Sequence, residues 1–186
     1  MAKKIVNRLM NRFSVVAMAL ALIAVAVATV VVSSNAQAAG PRPFKGTAEG
    51  IFIGNGGAGT ITTTHLGEGT VDFSDLVIVF DPSQASPDPN GNPAVVCFPL
   101  TGGDQTLTAA NGDQVKTEYV SGDFCADITN PAQPVPVHGN FVTIVTGGTG
   151  RFEDAGGQIN IEAVAGWDGE NVTFTSTFTD DSWIDY

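Results

Sequence analysis

Gly147-Gly148-Thr149-Gly150-Arg151-Phe152-Glu153-Asp154-Ala155-Gly156-Gly157-Gln158-Ile159 is a stretch of dense glycine punctuation late in this 186-residue chain. It stands between two β-rich stretches. Before it, Phe141 to Thr146 is apolar or β-branched throughout, as in a central strand. After it, Ile159, Ile161, Ala163, Ala165 and Trp167 alternate with Gln158, Asn160, Glu162, Val164 and Gly166. Asp168-Gly169-Glu170 turns the chain, and Val172, Phe174 and Phe178 then alternate with Thr173, Thr175, Thr177 and Thr179. A period of two with one apolar face marks antiparallel strands that pack one side on a core. A phosphate-cradling role for the glycines is disfavoured, because the P-loop spacing and the following helix are both missing.

The same strand chemistry runs back to residue 44. Phe44 to Ile53 reads as a strand, Gly54 to Gly59 as a turn, and Thr60 to Leu66 as the returning strand. The turn fits G-x-G-x-x-G, but strand-forming threonines follow it where a dinucleotide site needs a helix. Val71 to Phe80 alternates until Asp75-Leu76 and ends in Val77-Ile78-Val79-Phe80, a change of phase that predicts a β-bulge. Asp81 to Pro93 and Asp127 to His138 read as proline-rich loops. Between them, Val95 to Leu100, Gln105 to Ala110 and Gln114 to Val120 read as strands, the last two joined at Asn111-Gly112-Asp113. The expected fold is all-β: eight or nine short antiparallel strands without substantial helix form a sandwich or a closed barrel, and closure is attractive because it removes exposed edges. The β domain occupies residues 44–186, after a short linker at 39–43.

Residues 1–38 carry an export signature. Lys3, Lys4, Arg8 and Arg12 precede the apolar run Ser14 to Val32; Ser33-Ser34-Asn35 breaks the run, and Ala36-Gln37-Ala38 places signal cleavage after Ala38. The alternative is an uncleaved membrane anchor, because the run reaches spanning length. Either form leads out of the cytoplasm, to a secreted or periplasmic location. Four of the eight Lys and Arg residues leave with that segment, and the remaining four stand against 19 Asp and Glu, a balance of −15. That charge excludes a nucleic-acid footprint and opposes anionic membrane surfaces. Export makes a Cys97–Cys125 disulfide plausible, with two buried free thiols as the alternative.

Few residues offer reactive chemistry. The exported part has two histidines. His65, beside a glycine turn, is expected to be a strand-end hydrogen-bonding residue, and His138, after a proline loop, to be exposed. Asp88, Asn90 and Asn92 around Gly91 have the flavour of a calcium loop, but its spacing and closing glutamate are absent, so turn chemistry is expected. No zinc spacing and no Gly-x-Ser-x-Gly elbow occur, and no cofactor is implied. Glu49, Glu118 and Glu162 lie in strands; each is expected to face solvent, and one aimed into an apolar lumen would become a candidate acid or base. The threonine rows Thr60-Thr62-Thr64 and Thr173 to Thr179 suit exposed strand surface better than an ice-binding plane.

Residues 141–159 as a whole resemble the penultimate-hairpin signature of the allene oxide cyclase and dirigent barrel superfamily. Thr64-His65-Leu66-Gly67 and Ala109-Ala110-Asn111-Gly112-Asp113 resemble motifs of small secreted bacterial proteins similar to that superfamily, and the three occur in the matching order. The resemblance implies an eight-stranded barrel with an apolar lumen, and often homo-oligomers. It transfers no catalytic residue: the plant cyclases hold a fatty-acid epoxide and dirigent proteins orient phenolic radicals, and no lumen residue of either group matches a position here. Gly147, Gly148, Gly150, Arg151 and Phe152 are expected to act structurally. Gly148 and Gly150 would take positive φ, Arg151 would pair with a carboxylate, and Phe152 would plug the core. Functionally, the expectation is a non-catalytic barrel that binds a small apolar ligand in its lumen or serves as an extracellular structural or interaction module. The alternative is an isomerase or cyclase acting on a lipid or terpenoid-like substrate.

Overall fold

The alternation that closes the chain becomes a hairpin. Gly156–Trp167 and Val172–Phe178 pair antiparallel, with Ile161 opposite Phe178 and Ala165 opposite Phe174, so the apolar residues of both strands share one face. The structure, a computed structural model, describes residues 40–130, 135–168 and 170–186. The segment 1–38 and its cleavage point after Ala38 lie outside the described residues.

In chain order the strands are β1 (Arg42–Pro43), β2 (Gly46–Ile53), β3 (Gly56–Thr63), β4 (Gly67–Ile78), β5 (Ser86–Pro87), β6 (Val95–Ala109), β7 (Gln114–Asp127), β8 (Val135–Gly148), β9 (Gly156–Trp167), β10 (Val172–Phe178) and β11 (Trp183–Asp185). A single three-residue 3-10 turn, Gly150–Phe152, is the helical element among the described residues. Eight strands close into an antiparallel barrel in the order β2, β3, β4, β6, β7, β8, β9, β10, and β10 returns to β2 with Phe174 opposite Gly50. Closure leaves none of the eight with an unpaired edge. The extra strands are short: β11 extends the sheet beside β9, β1 pairs with β11, and β5 pairs with the outer part of β6.

Several boundaries differ from the sequence reading. The first turn is not six residues but two: Ile53 pairs with Gly56, and Gly54 alone carries positive φ at 62°. Gly56 to Gly59 belong to β3, where a Cβ on Gly57 would stand 2.4 Å from the Phe73 ring, so the glycine is a packing requirement. The two expected strands 95–100 and 105–110 are one long strand, interrupted where Gly102 and Gly103 meet the bulge of β4. That bulge lies at the predicted phase change: the register shifts between Ser74 and Val77, and Asp75 has φ 56°. Val135 to His138 pair with β7 and are not loop. Arg42 and Pro43, expected as linker, pair with Ile184 and Trp183, because the chain end folds back along β9.

The interior is aromatic. Phe52, Phe73 and Phe174 meet edge-on with centroids 5.3 to 5.7 Å apart. Leu107, Val115, Ile159, Phe44, Phe152 and Ile184 are fully buried, each large side chain worth roughly 1.5–3 kcal/mol in removed apolar surface.

Candidate functional site

The two ends of the barrel are built differently. At the end reached by the C-termini of β3 and β8, the glycine stretch folds Phe152 back over the core. Gly150 takes φ 60°, and Gly147 φ 124°, as glycine allows. Gly148 does not take the positive φ expected of it; its role is close approach, since a Cβ there would lie 1.9 Å from the Gln114 carbonyl oxygen. Phe152 is fully buried, with its ring 4.6 Å from that of Tyr186. Arg151 Nη2 donates to the His65 carbonyl, and its Nε stands 3.7 Å from Asp113 Oδ2, so the expected carboxylate pairing is present. His65 stacks on Phe44 at 6.0 Å, with Nε2 2.9 Å from the Pro43 carbonyl and Nδ1 3.2 Å from the Tyr186 hydroxyl. Both ring nitrogens are thus occupied by structural partners, as a strand-end role requires.

Past this plug the lumen is nearly filled. Its residual void is about 30 Å³, bounded by Phe52, Phe73, Leu100, Tyr119, Phe141 and Phe174, room for on the order of one or two waters. A short polar chain runs along its β6–β7 wall. Thr117 Oγ1 donates to Gln105 Oε1 at 3.2 Å, and Gln105 Nε2 donates to the Tyr119 hydroxyl at 3.3 Å. Burial pushes the Tyr119 phenol well above its ordinary pKa, so it stays a neutral hydrogen-bonding group. Glu49, Glu118 and Glu162 are all exposed on the outer wall, so none of them is an acid or base of the lumen.

The opposite end is open. Phe52, Leu76 and Phe124 separate the lumen void from a second cavity of about 380 Å³, whose further walls are Ile78, Phe80, Ala126, Pro136 and Val172. This size and apolar lining are those of small-molecule sites. The rim is unusually apolar for a surface: Phe80 is 58% and Trp167 62% exposed, and Phe80 packs on Phe98 at 5.1 Å. Register places these rings. Phe98 lies opposite the inward Phe124, and Trp167 opposite the cavity-lining Val172. The sequence reading did not single out this cavity; its one trace was the apolar run ending at Phe80.

Outside the barrel wall beside this mouth, Cys97 and Cys125 form a disulfide between directly opposed residues of β6 and β7. Residues 81–94 cover it, with Ser86 paired to Cys97. Asp88 pins this cover. Its Oδ1 accepts from Asn90 N at 3.0 Å and stands 2.9 Å from His138 Nε2, and its Oδ2 accepts from Asn92 N at 3.1 Å. The Asn90 amide and the other partners hold the Asp88 carboxyl below the usual carboxylate range. Asp88, Asn90 and Asn92 therefore form a turn anchored to β8. The expectation that His138 would be exposed fails, because its side chain is only 15% accessible beneath this turn. The disulfide is compatible with an oxidising compartment. Among the described residues no group of three His, Cys, Asp or Glu is placed to hold a metal.

Comparison with family models, with curated proteins and with solved structures returned no match.

Proposed function

We propose that this chain is an exported, non-catalytic barrel that binds a small apolar molecule at its open end. The observation that carries the reading is the apolar cavity of about 380 Å³ behind Phe80, set over a lumen that its own aromatic residues already fill. Export rests on the signal segment and agrees with the disulfide. The resemblance of residues 141–159 to the cyclase and dirigent barrels supports an apolar ligand, but that superfamily holds its molecules in the barrel interior, which is filled here, so the site moves to the mouth. Isomerase or cyclase chemistry is the weaker reading. Among the described residues Tyr119 is the one titratable side chain on the lumen void, and about 30 Å³ around it does not admit a lipid.

Fluorescence of the neutral probe N-phenyl-1-naphthylamine tests the proposal. The exported protein should give a blue-shifted, saturable enhancement at one probe per chain. Val172→Trp, which fills the cavity, should abolish it, and Thr62→Trp on the outer wall should leave it intact. Absence of saturable binding, or binding indifferent to Val172→Trp, rejects the site.

A further inference from the structure

The cations of the barrel are gathered at one end. Of residues 40–186, four are Lys or Arg: Arg42, Lys45, Lys116 and Arg151. All belong to the plugged half. Arg42 lies over the Tyr186 ring, Lys45 pairs with Asp180, Arg151 approaches Asp113, and Lys116 is opposite Gly147 at the start of β7. None is at the open end. There, Asp81 follows Phe80, and Asp168 and Glu170 occupy the turn between Trp167 and Val172, while Asp127, opposite Val95, lies at the same end on the outer face with Cys125.

Three of these acids accept backbone N–H donors. Asp81 accepts from Ser83 N at 2.8 Å, Asp127 from Thr129 N at 2.8 Å, and Asp168 from Asn171 N at 2.7 Å. In each, that backbone N–H is the leading cause holding the carboxyl below its usual range. An apolar cleft bordered by one sign of charge concentrates the opposite sign at its mouth. The exposed rings of Phe80 and Trp167 also present faces on which an organic cation is attracted.

Resting on the proposed binding role, we infer that the open end selects cationic amphiphiles: an apolar body in the cavity, with an amine or quaternary ammonium held at the rim near Asp81 and Asp168. Anionic amphiphiles such as fatty-acid carboxylates are disfavoured by the same rim.

The test displaces the bound neutral probe with three amphiphiles of one chain length, each below its micelle concentration. These are decyltrimethylammonium, decyl sulfate and uncharged decyl maltoside. At low ionic strength the ammonium should displace at roughly tenfold lower concentration than the sulfate, with the maltoside between them. The ratio should shrink toward one in about 1 M salt, where the screening length falls to about 3 Å. Asp81→Asn with Asp168→Asn, which keep a turn-capping oxygen, should remove most of the preference. Asp104→Asn with Glu118→Gln, on the exposed outer wall, should retain it and so exclude general attraction to an acidic protein. Equal displacement by all three, preference for the sulfate, or a preference that survives the rim variant overturns the inference and leaves the cavity standing. Failure of the neutral probe itself overturns the binding role, and this inference with it.

Discussion

The two ends of this barrel use similar residues for opposite purposes. At the plugged end, Phe44, Phe152 and Ile184 are fully buried under a chain that turns back twice, once through Gly150 and once through β11. At the open end, Phe80 and Trp167 remain more than half exposed around an apolar cavity. The aromatic residues of the first end lower the free energy of the fold. Those of the second contribute little to it and stay available for contact. A barrel must close its core against water, but one closed end and a filled lumen suffice. The other mouth is then free to differ.

The sharpest way to break this contrast is to truncate one ring at each end. Phe152→Ala should cost about 3–5 kcal/mol through lost burial and the cavity left behind, a fall in Tm on the order of 10 °C. Phe80→Ala, on the rim, should stay within about 0.5 kcal/mol. Similar Tm shifts for the two variants, measured by scanning calorimetry, would contradict the division of roles.

Next in size is the covalent tie beside the open mouth. Cys97 and Cys125 are 28 positions apart, a loop for which the chain-entropy account gives roughly 3.5 kcal/mol. Replacing both by Ala should lower the urea midpoint accordingly, without disturbing the plugged end. Spectra of Tyr186 and His65 that change with the disulfide would show that the ends are coupled.

The smallest expected effect is on pH. Asp81, Asp88, Asp127 and Asp168 lie at the open end with carboxyl pKa values lowered from 3.8 by backbone N–H donors, and Asp181 at the other end is lowered chiefly by the Thr179 hydroxyl. A lowered folded-state pKa stabilises above the unfolded value and is lost as pH falls through the folded one. Urea stability should therefore be level on account of these groups above about pH 5, and decline as the pH passes below 3.8. Asp88→Asn should make that decline shallower; a decline of unchanged steepness would deny Asp88 its part in anchoring residues 81–94.

Legibility in the sequence followed the range of the interactions. The β10 alternation, the bulge at Asp75 and the Asn111-Gly112 hairpin could be read because each depends on neighbours a few residues apart. Phe152 as plug, Arg151 as partner of a carboxylate and the Cys97–Cys125 disulfide were also foreseen. Gly148 was misread, because what it avoids is the Gln114 carbonyl, far away in the chain. His138 was misread for the same reason: Asp88, which buries it, is 50 residues distant. The expected loop at Val135 to His138 failed because prolines suggest irregularity, whereas pairing with β7 keeps the segment extended.

By itself, then, the sequence determined an all-β chain, its hairpin at Asn111-Gly112, and a strongly acidic, sparsely basic surface. These follow from backbone preferences, a two-residue period and counting, none of which needs a partner in space. Tertiary structure decided which end is sealed, how little of the lumen is left, and that the cations gather away from the mouth. Those properties come from strand register and closure, which bring residues more than a hundred positions apart, such as His65 and Tyr186, into contact. No local pattern encodes them.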